Sequence, residues 1–288
     1  MSPAGAPLGL SVKELLQAWR GAVLADNAQV EALADRPRSE DFYAPVAEQF
    51  RADPRRQGEP SLEYLRSLVR PDETWLDLGA GGGRYSLAIA LLAAKVYAVE
   101  PSEGMRRVLT SSAADAGITN IEILPERWPG PSACPVADRG LISQIGYDIA
   151  EIGPFLDQLE AHSRSCVAML LERAPIGEFA TLWQPVHGEE RALLPGLREL
   201  NILLLAAGRL PEMRVFEARR PSFESLDAMQ RAARRPLWVR EGSEKDQRLR
   251  QAIERTAIRT DDGFVLSSGP RRLGVLTWRP GDSPLASA

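Results

Sequence analysis

The run Thr74-Trp-Leu-Asp77-Leu-Gly79-Ala80-Gly81-Gly-Gly83-Arg-Tyr constrains this chain more than any other segment. Leu76 and Leu78 flank Asp77 in an apolar stretch that reads as a buried strand. Glycines end it, and Tyr85-Ser-Leu-Ala-Ile-Ala-Leu-Leu reads as the helix that follows. A strand, a glycine turn and a helix N-terminus in succession let a ligand approach bare backbone N–H groups. Twenty-one residues after Gly79, a second short apolar run, Val96-Tyr-Ala-Val, ends in Glu100. An acid there can accept hydrogen bonds from both hydroxyls of a ribose, the logic of nucleoside binding in doubly wound α/β folds.

The glycine spacing narrows the ligand. A dinucleotide fingerprint, G-x-G-x-x-G counted from Gly79, needs its third glycine at position 84, which is Arg84. The chain instead reads G-x-G-x-G, with Asp77 two residues before the first glycine. This resembles motif I of the class I S-adenosylmethionine-dependent methyltransferases, and Glu100 stands where that family carries its ribose-binding acid. The resemblance spans residues of about 70 to 172 and is much weaker on either side. A dinucleotide cofactor, or a loop that merely turns the chain, are the competing readings. The resemblance implies an α/β fold with a doubly wound, mostly parallel seven-stranded sheet, S-adenosylmethionine as cofactor, and methyl transfer as the activity. A cofactor-binding or regulatory protein that has lost transfer activity is the alternative, because fold does not fix function.

Periodicity orders the rest of the chain. Leu15, Leu16, Trp19, Val23 and Leu24 have helical spacing over residues 12–33, with Ser11 as N-cap and Glu14 completing a capping box. Shorter helices are expected over 43–50 and 61–69, the latter stopped by Pro71. Strands at 74–79, 95–100, 121–124, 140–145 and 167–171 alternate with helices, one of them over 149–159, which argues a parallel sheet with right-handed crossovers. Pro175, Gly177, Pro185, Gly188 and Pro195 then break the rhythm. A helix near 197–207 and a strand at 213–217 restore it, and two polar helices, about 222–234 and 244–258, precede final strands at 264–267 and 273–278. The expected organisation is a helical cap over 1–70, an α/β domain over 71–280 with insertions at about 174–195 and 222–259, and a flexible tail over 281–288.

The resemblance assigns roles to individual residues. Asp77 and the turn Gly79, Ala80, Gly81 and Gly83 fall to the amino-acid half of the cofactor, the amides suiting its carboxylate and the acid its ammonium. Glu100 falls to the ribose, with Pro101 beside it in the cofactor site; Met105 and the residue after Pro101 flank the adenine, and Glu126 or the backbone near Arg127 meets the adenine amino group. Trp128 is either part of that site or packed on the sheet rim. Gln144, after the fourth strand, lies near the sulfonium. Tyr147 and Asp148 are candidates to orient or deprotonate a substrate, although Asp148 more simply caps a helix starting at Ile149. His187 is the better general-base candidate of the two histidines, a satisfied loop histidine being the plainer account. N-terminal helices often cover the cleft in that family, so Phe42 and Tyr43 could line it, with core packing the simpler role for either ring.

Composition excludes several classes. Hydrophobic residues at 44% and charged residues at 26% are ordinary for a soluble globular chain. The longest strongly apolar run, residues 200–207, is too short to cross a bilayer, and no signal-peptide pattern opens the sequence, so a cytoplasmic location is expected. Two cysteines and two histidines make a metal site improbable. The net charge of −4 divides unevenly: residues 72–208 carry 10 basic and 18 acidic groups, residues 209–259 carry 13 and 8. The basic excess is interleaved with acids and reads as solvated helix faces, so a small-molecule methyl acceptor is expected and a nucleic-acid partner is not. The segment after the fourth strand also lacks the Asn/Asp-Pro-Pro-aromatic and Pro-Cys signatures of two nucleic-acid methyltransferase subclasses. The sequence leaves the oligomeric state open.

Overall fold

The strand that carries Asp77 lies at the centre of the molecule. In the computed structural model, which describes residues 11–36, 41, 43–128, 134–172, 177–218, 220–267 and 271–285, β1 (Thr74–Leu78) pairs in parallel with β2 (Lys95–Val99) and with β4 (Ala137–Ser143). β3 (Ile121–Leu124) and β5 (Ser163–Leu171) extend the sheet outward, also in parallel. β9 (Arg272–Trp278) runs antiparallel between β5 and β6 (Glu212–Glu217), which gives the order β3-β2-β1-β4-β5-β9-β6. The expected seven-stranded, mostly parallel sheet is present. Its order reverses between β1 and β4, and ligands in open α/β sheets bind beyond the carboxyl ends of the strands at such a point.

Helices cover both faces because the strands are apolar on both. Trp75, Leu76 and Leu78 are fully buried, as are Val167, Ala168 and Met169, and strands buried on two faces read as continuous apolar runs. α1 (Val12–Leu33) opens with the expected capping box: Ser11 Oγ accepts from the Glu14 amide at 3.2 Å, and the Ser11 amide donates to Glu14 Oε2 at 3.0 Å. α2 (Pro60–Ser67), the five-residue α3 (Ser86–Ala90), α4 (Glu103–Ala116), α5 (Ile152–Ala161), the short α6 (Trp183–His187) and α7 (Leu197–Ala206) follow in order. No helix among the described residues is long and apolar enough to cross a membrane.

A second core forms apart from the sheet. α8 (Leu226–Arg234) and α9 (Glu244–Thr256) pack with α6, the preceding 3₁₀ turn and the end of α1. Val30, Leu182, Trp183, Val186, Met229, Leu237, Leu249 and Ile253 are buried together there. The N-terminal helix and the two late insertions thus share one apolar interior instead of forming separate additions.

Four expectations need correction. Residues 264–267 do not join the main sheet: β8 (Gly263–Leu266) pairs with β7 (Ala257–Thr260) and bridges Phe223 through Phe264, in a hairpin attached to the cap. The helix expected over 43–50 is a 3₁₀ helix, Ala44–Phe50, with a proline in its first turn. The helix expected from Ile149 begins at Ile152 with Glu151 at the N-cap, so Asp148 caps nothing. The tail is docked as far as the structure describes it: Leu285 is fully buried and its amide donates to Asp157 Oδ1. Behind it Arg209 pairs with Glu160, which also accepts from Trp278 Nε1 at 2.9 Å, while Arg209 donates to the Ser283 carbonyl at 2.8 Å.

Candidate cofactor and acceptor site

Beyond the carboxyl ends of β1 and β2, the glycine turn is held by the neighbouring strand. The amides of Gly79 and Ala80 both donate to the Val99 carbonyl, at 2.8 and 3.1 Å, and the Gly81 amide donates to Glu100 Oε2 at 2.8 Å. The three amides expected to face a carboxylate are therefore spent on shaping the turn. What the turn offers a ligand is space. Gly81 has φ +56, and nothing lies within 4 Å of where a β-carbon would stand. Gly83 serves packing instead, since a β-carbon there would meet Leu109 at 2.4 Å and Leu87 at 2.9 Å. Gly79 lets Ile145, after β4, approach to about the same closeness, at 2.9 Å.

Two acids stand at this turn, held by different partners. Asp77 is buried and takes a short hydrogen bond from Ser86 Oγ, at the first residue of α3. Burial pushes its carboxyl up to about 7, with the Glu100 charge adding to the rise and Ser86 opposing it. Asp77 thus ties the start of α3 to the sheet. Burial also raises Glu100, against the amides of Ser102 and Gly81 that favour its charged form. Ser102 donates its amide to Glu100 Oε1 at 2.8 Å and caps α4, its Oγ accepting from the Met105 amide. Arg84, where a dinucleotide motif has its third glycine, turns outward to pair with Glu59 at 2.8 Å.

A strap from the N-terminal region crosses the site. Asp41 accepts from the amides of Tyr43 and Ala44, each at 3.0 Å, and from Ser102 Oγ at 2.8 Å. Burial opposes, but these bonds and one from the Gly104 amide hold the Asp41 carboxyl below its ordinary value. The 3₁₀ helix that follows lies so close to α4 that a β-carbon on Gly104 would come within 2.7 Å of Ala44 Cα, and one on Gly82 within 2.9 Å of the Phe50 carbonyl oxygen. Met105 is buried beneath it with Ala47 and Val108. In the sequence the strap is marked only by an aspartate shortly before Pro45.

Tyr43 is not core: 44% of its surface is exposed. The Arg235 guanidinium, from the cap, lies 5.2 Å from its ring centre, and Phe50 meets its edge at 5.7 Å. Partial burial, then the nearby charges of Asp148 and Glu100, raise its hydroxyl above the ordinary tyrosine value. Tyr43, Asp148, Glu100 and Arg235 therefore gather where strap, post-β4 segment and cap meet. Phe42 lies outside the described residues.

The post-β4 segment sorts the catalytic candidates. Gln144 has φ +58, a left-handed conformation rare for a residue with a side chain and concentrated at functional sites. Tyr147 is buried; its hydroxyl accepts from the Leu171 amide at 2.7 Å and donates to Gln144 Oε1 at 3.2 Å. Burial raises its pKa strongly, so Tyr147 braces Gln144 and β5 and is not placed to take a proton. His187 belongs to the cap core, 4.0 Å from the Trp183 ring, with Nε2 at 2.9 Å from the Leu237 carbonyl oxygen. Burial lowers it to about 4, and its role is packing. Asp148 alone of the three is exposed, with no hydrogen bond or ion pair among the described residues. Pro101 is exposed beside Glu100; Glu126 is half-buried and Arg127 exposed at the end of β3. Trp128 packs on α5 by donating Nε1 to the Phe155 carbonyl at 3.3 Å. No cluster of three or more His, Cys, Asp or Glu able to hold a metal occurs among the described residues.

No family model and no curated protein sequence matches the chain. Solved structures do. The YcgJ protein of Bacillus subtilis is 13% identical, with 77% of this chain aligned to 98% of that one at a TM-score of 0.53. Coclaurine N-methyltransferase, bound to N-methylheliamine and S-adenosylhomocysteine, is 10% identical over 93% of each chain at a TM-score of 0.51. At these identities the likeness speaks to architecture. The chain has the Rossmann-like fold of the class I S-adenosylmethionine-dependent methyltransferases.

Proposed function

We propose that the protein transfers a methyl group from S-adenosylmethionine to a small-molecule acceptor. The observation that carries this reading is the open space at Gly81 beside the Glu100 carboxylate, at the sheet's reversal point and beneath the strap. Glu100 uses one oxygen for the Gly81 amide and the other for Ser102, and a carboxylate has about four acceptor positions, so two remain for a ribose diol. Pro101 and the end of β3 at Glu126 and Arg127 border the adenine position, with Met105 supporting the strap from below. Asp77 fixes the turn from behind, and Gln144 faces the reacting end.

When bound, S-adenosylmethionine would supply an electrophilic methyl carbon, whose bond to sulfur would break in line as the bond to the acceptor forms, with S-adenosylhomocysteine as the leaving thioether. The chain's part is to align the two reactants and exclude water, which Tyr43, the strap and the cap are placed to do. For a nitrogen or oxygen acceptor a proton must also leave, and Asp148 is the available carboxylate to receive it. Incubation with methyl-labelled S-adenosylmethionine and a panel of small amines, phenols and alcohols is the test. Label in a product, with S-adenosylhomocysteine released, supports the reading. Tight cofactor binding with no transfer to any acceptor would favour a binding protein instead.

A further inference from the structure

The sheet ends at β6, and its outer edge is unpaired among the described residues. β9 occupies one side of β6, and no strand pairs with the other among the described residues. Every residue of the strand is exposed except the half-buried Phe216. An open edge of this length is a template for another chain. Exposed apolar side chains line it, Met213 at 48% and Val215 at 47%, with Leu210 just before the strand at 86%; α7, which packs on β9, exposes Ile202 at 43% and Leu205 at 49%.

Met213 and Val215 share one face. Val215 pairs directly with Gly274, and a β-carbon on Gly274 would strike Leu197 of α7 at 2.2 Å. Directly opposed residues of antiparallel strands point the same way, so Val215 and Met213 project on the side that α7 covers. The other side carries Arg214 and Phe216, whose guanidinium and ring lie 4.8 and 5.6 Å from the ring centre of Tyr64 in α2. An apolar strip on the rim of an otherwise well-charged molecule marks an interaction surface.

We propose that β6 pairs antiparallel with β6 of a second copy, joining two sheets about a two-fold axis at Met213. Charge selects this occupant and this register. Glu212 and Arg214 flank Met213, and neither has an ion-pair partner among the described residues. A two-fold axis at Met213 sets Glu212 opposite the second copy's Arg214, and Arg214 opposite its Glu212, on one face. On the other face the two Met213 side chains meet. Moving the axis one residue, to Arg214, opposes two guanidiniums instead. An isologous contact of this kind closes on itself as a dimer.

Sedimentation velocity on the full chain tests it. The wild type is expected to be a dimer at micromolar concentration, and Met213→Lys a monomer with an unchanged circular dichroism spectrum. Glu212→Arg and Arg214→Glu each oppose like charges twice and should weaken dimerisation about tenfold. The combined E212R/R214E exchange restores both pairs and should recover the wild-type affinity. A monomeric wild type, a dimer indifferent to Met213→Lys, or a double exchange no tighter than the single variants would each overturn the proposal.

Discussion

The Glu100 carboxylate and the Gly81 amide, 2.8 Å apart, join the end of β2 to the turn after β1. The bond makes one residue responsible for both the shape of the turn and, on the proposed reading, the ribose contact. Glu100→Ala is therefore expected to weaken S-adenosylmethionine binding by about 2–4 kcal/mol, the range for leaving charge-assisted bonds unmade. Calorimetry on the folded variant measures this. Unchanged affinity would remove Glu100 from the site, and tight NAD binding by the wild type would replace the cofactor.

Gly81 and Gly83 should fail in different ways. At Gly81 a side chain enters empty space where the ligand is expected, at a strain of roughly 1–2 kcal/mol for the left-handed backbone. Gly81→Val should thus fold cooperatively and lose cofactor binding. Gly83→Val drives a side chain into Leu109 and Leu87 and should be visibly destabilised in chemical denaturation. If Gly81→Val still binds the cofactor, the space is not the ligand's.

The sheet was legible because its strands are apolar on both faces and end in glycines and acids, signals that local periodicity carries. The two halves of the turn–acid pair, Gly81 and Glu100, could be named together for the same reason. What was not legible depends on contacts between distant segments. His187 reads from the sequence as a histidine of an irregular loop, but it packs on Trp183 in a core assembled from α1, α6, α8 and α9. Tyr147 looked available, yet its hydroxyl is committed to Leu171, a residue of another strand. The tail reads as polar and small, and only the fold shows that Arg209 and Glu160 anchor it.

Asp77 makes stability fall with pH. The folded carboxyl loses its proton near 7 and the ordinary one at 3.8, so across that window the folded chain binds more protons than the unfolded. The contribution is complete below about 4 and is lost as pH rises through 7. Asp77→Asn keeps an acceptor for Ser86 and never ionises. Its stability relative to wild type should rise between pH 4.5 and 8, by on the order of 2–4 kcal/mol. Thermal melts at the two pH values decide the matter; a constant difference would show that Asp77 does not titrate there.

Glu160 should be costly to lose. It sits with Arg209, both almost fully buried, and also accepts from Trp278 and from the Gly281 amide. Glu160→Ala strands a buried guanidinium, a change that typically costs about 3–5 kcal/mol. Chemical denaturation should show that loss, and limited proteolysis should find new cleavage after Arg279 as the tail comes free. Wild-type stability and an uncut tail would mean that Arg209 finds another partner.

The arginines of the cap should not form a path for nucleic acid. Arg234 is held by Asp246 at 2.9 Å and Glu241 at 2.6 Å, and Arg250 by Asp227 and by Glu254 at 2.6 Å. Arg231 and Arg248 lie 3.9 and 3.8 Å from Glu224 and Glu244. A phosphate approaching any of these meets the carboxylate already paired with it, and the chain as a whole carries −4. Duplex DNA and structured RNA are therefore expected not to bind at moderate salt. Arg231→Ser with Arg248→Ser should leave cofactor affinity intact and, once an acceptor is in hand, change at most its KM. Binding of either nucleic acid with a steep loss of affinity as salt rises would identify phosphate contacts and overturn the small-molecule reading.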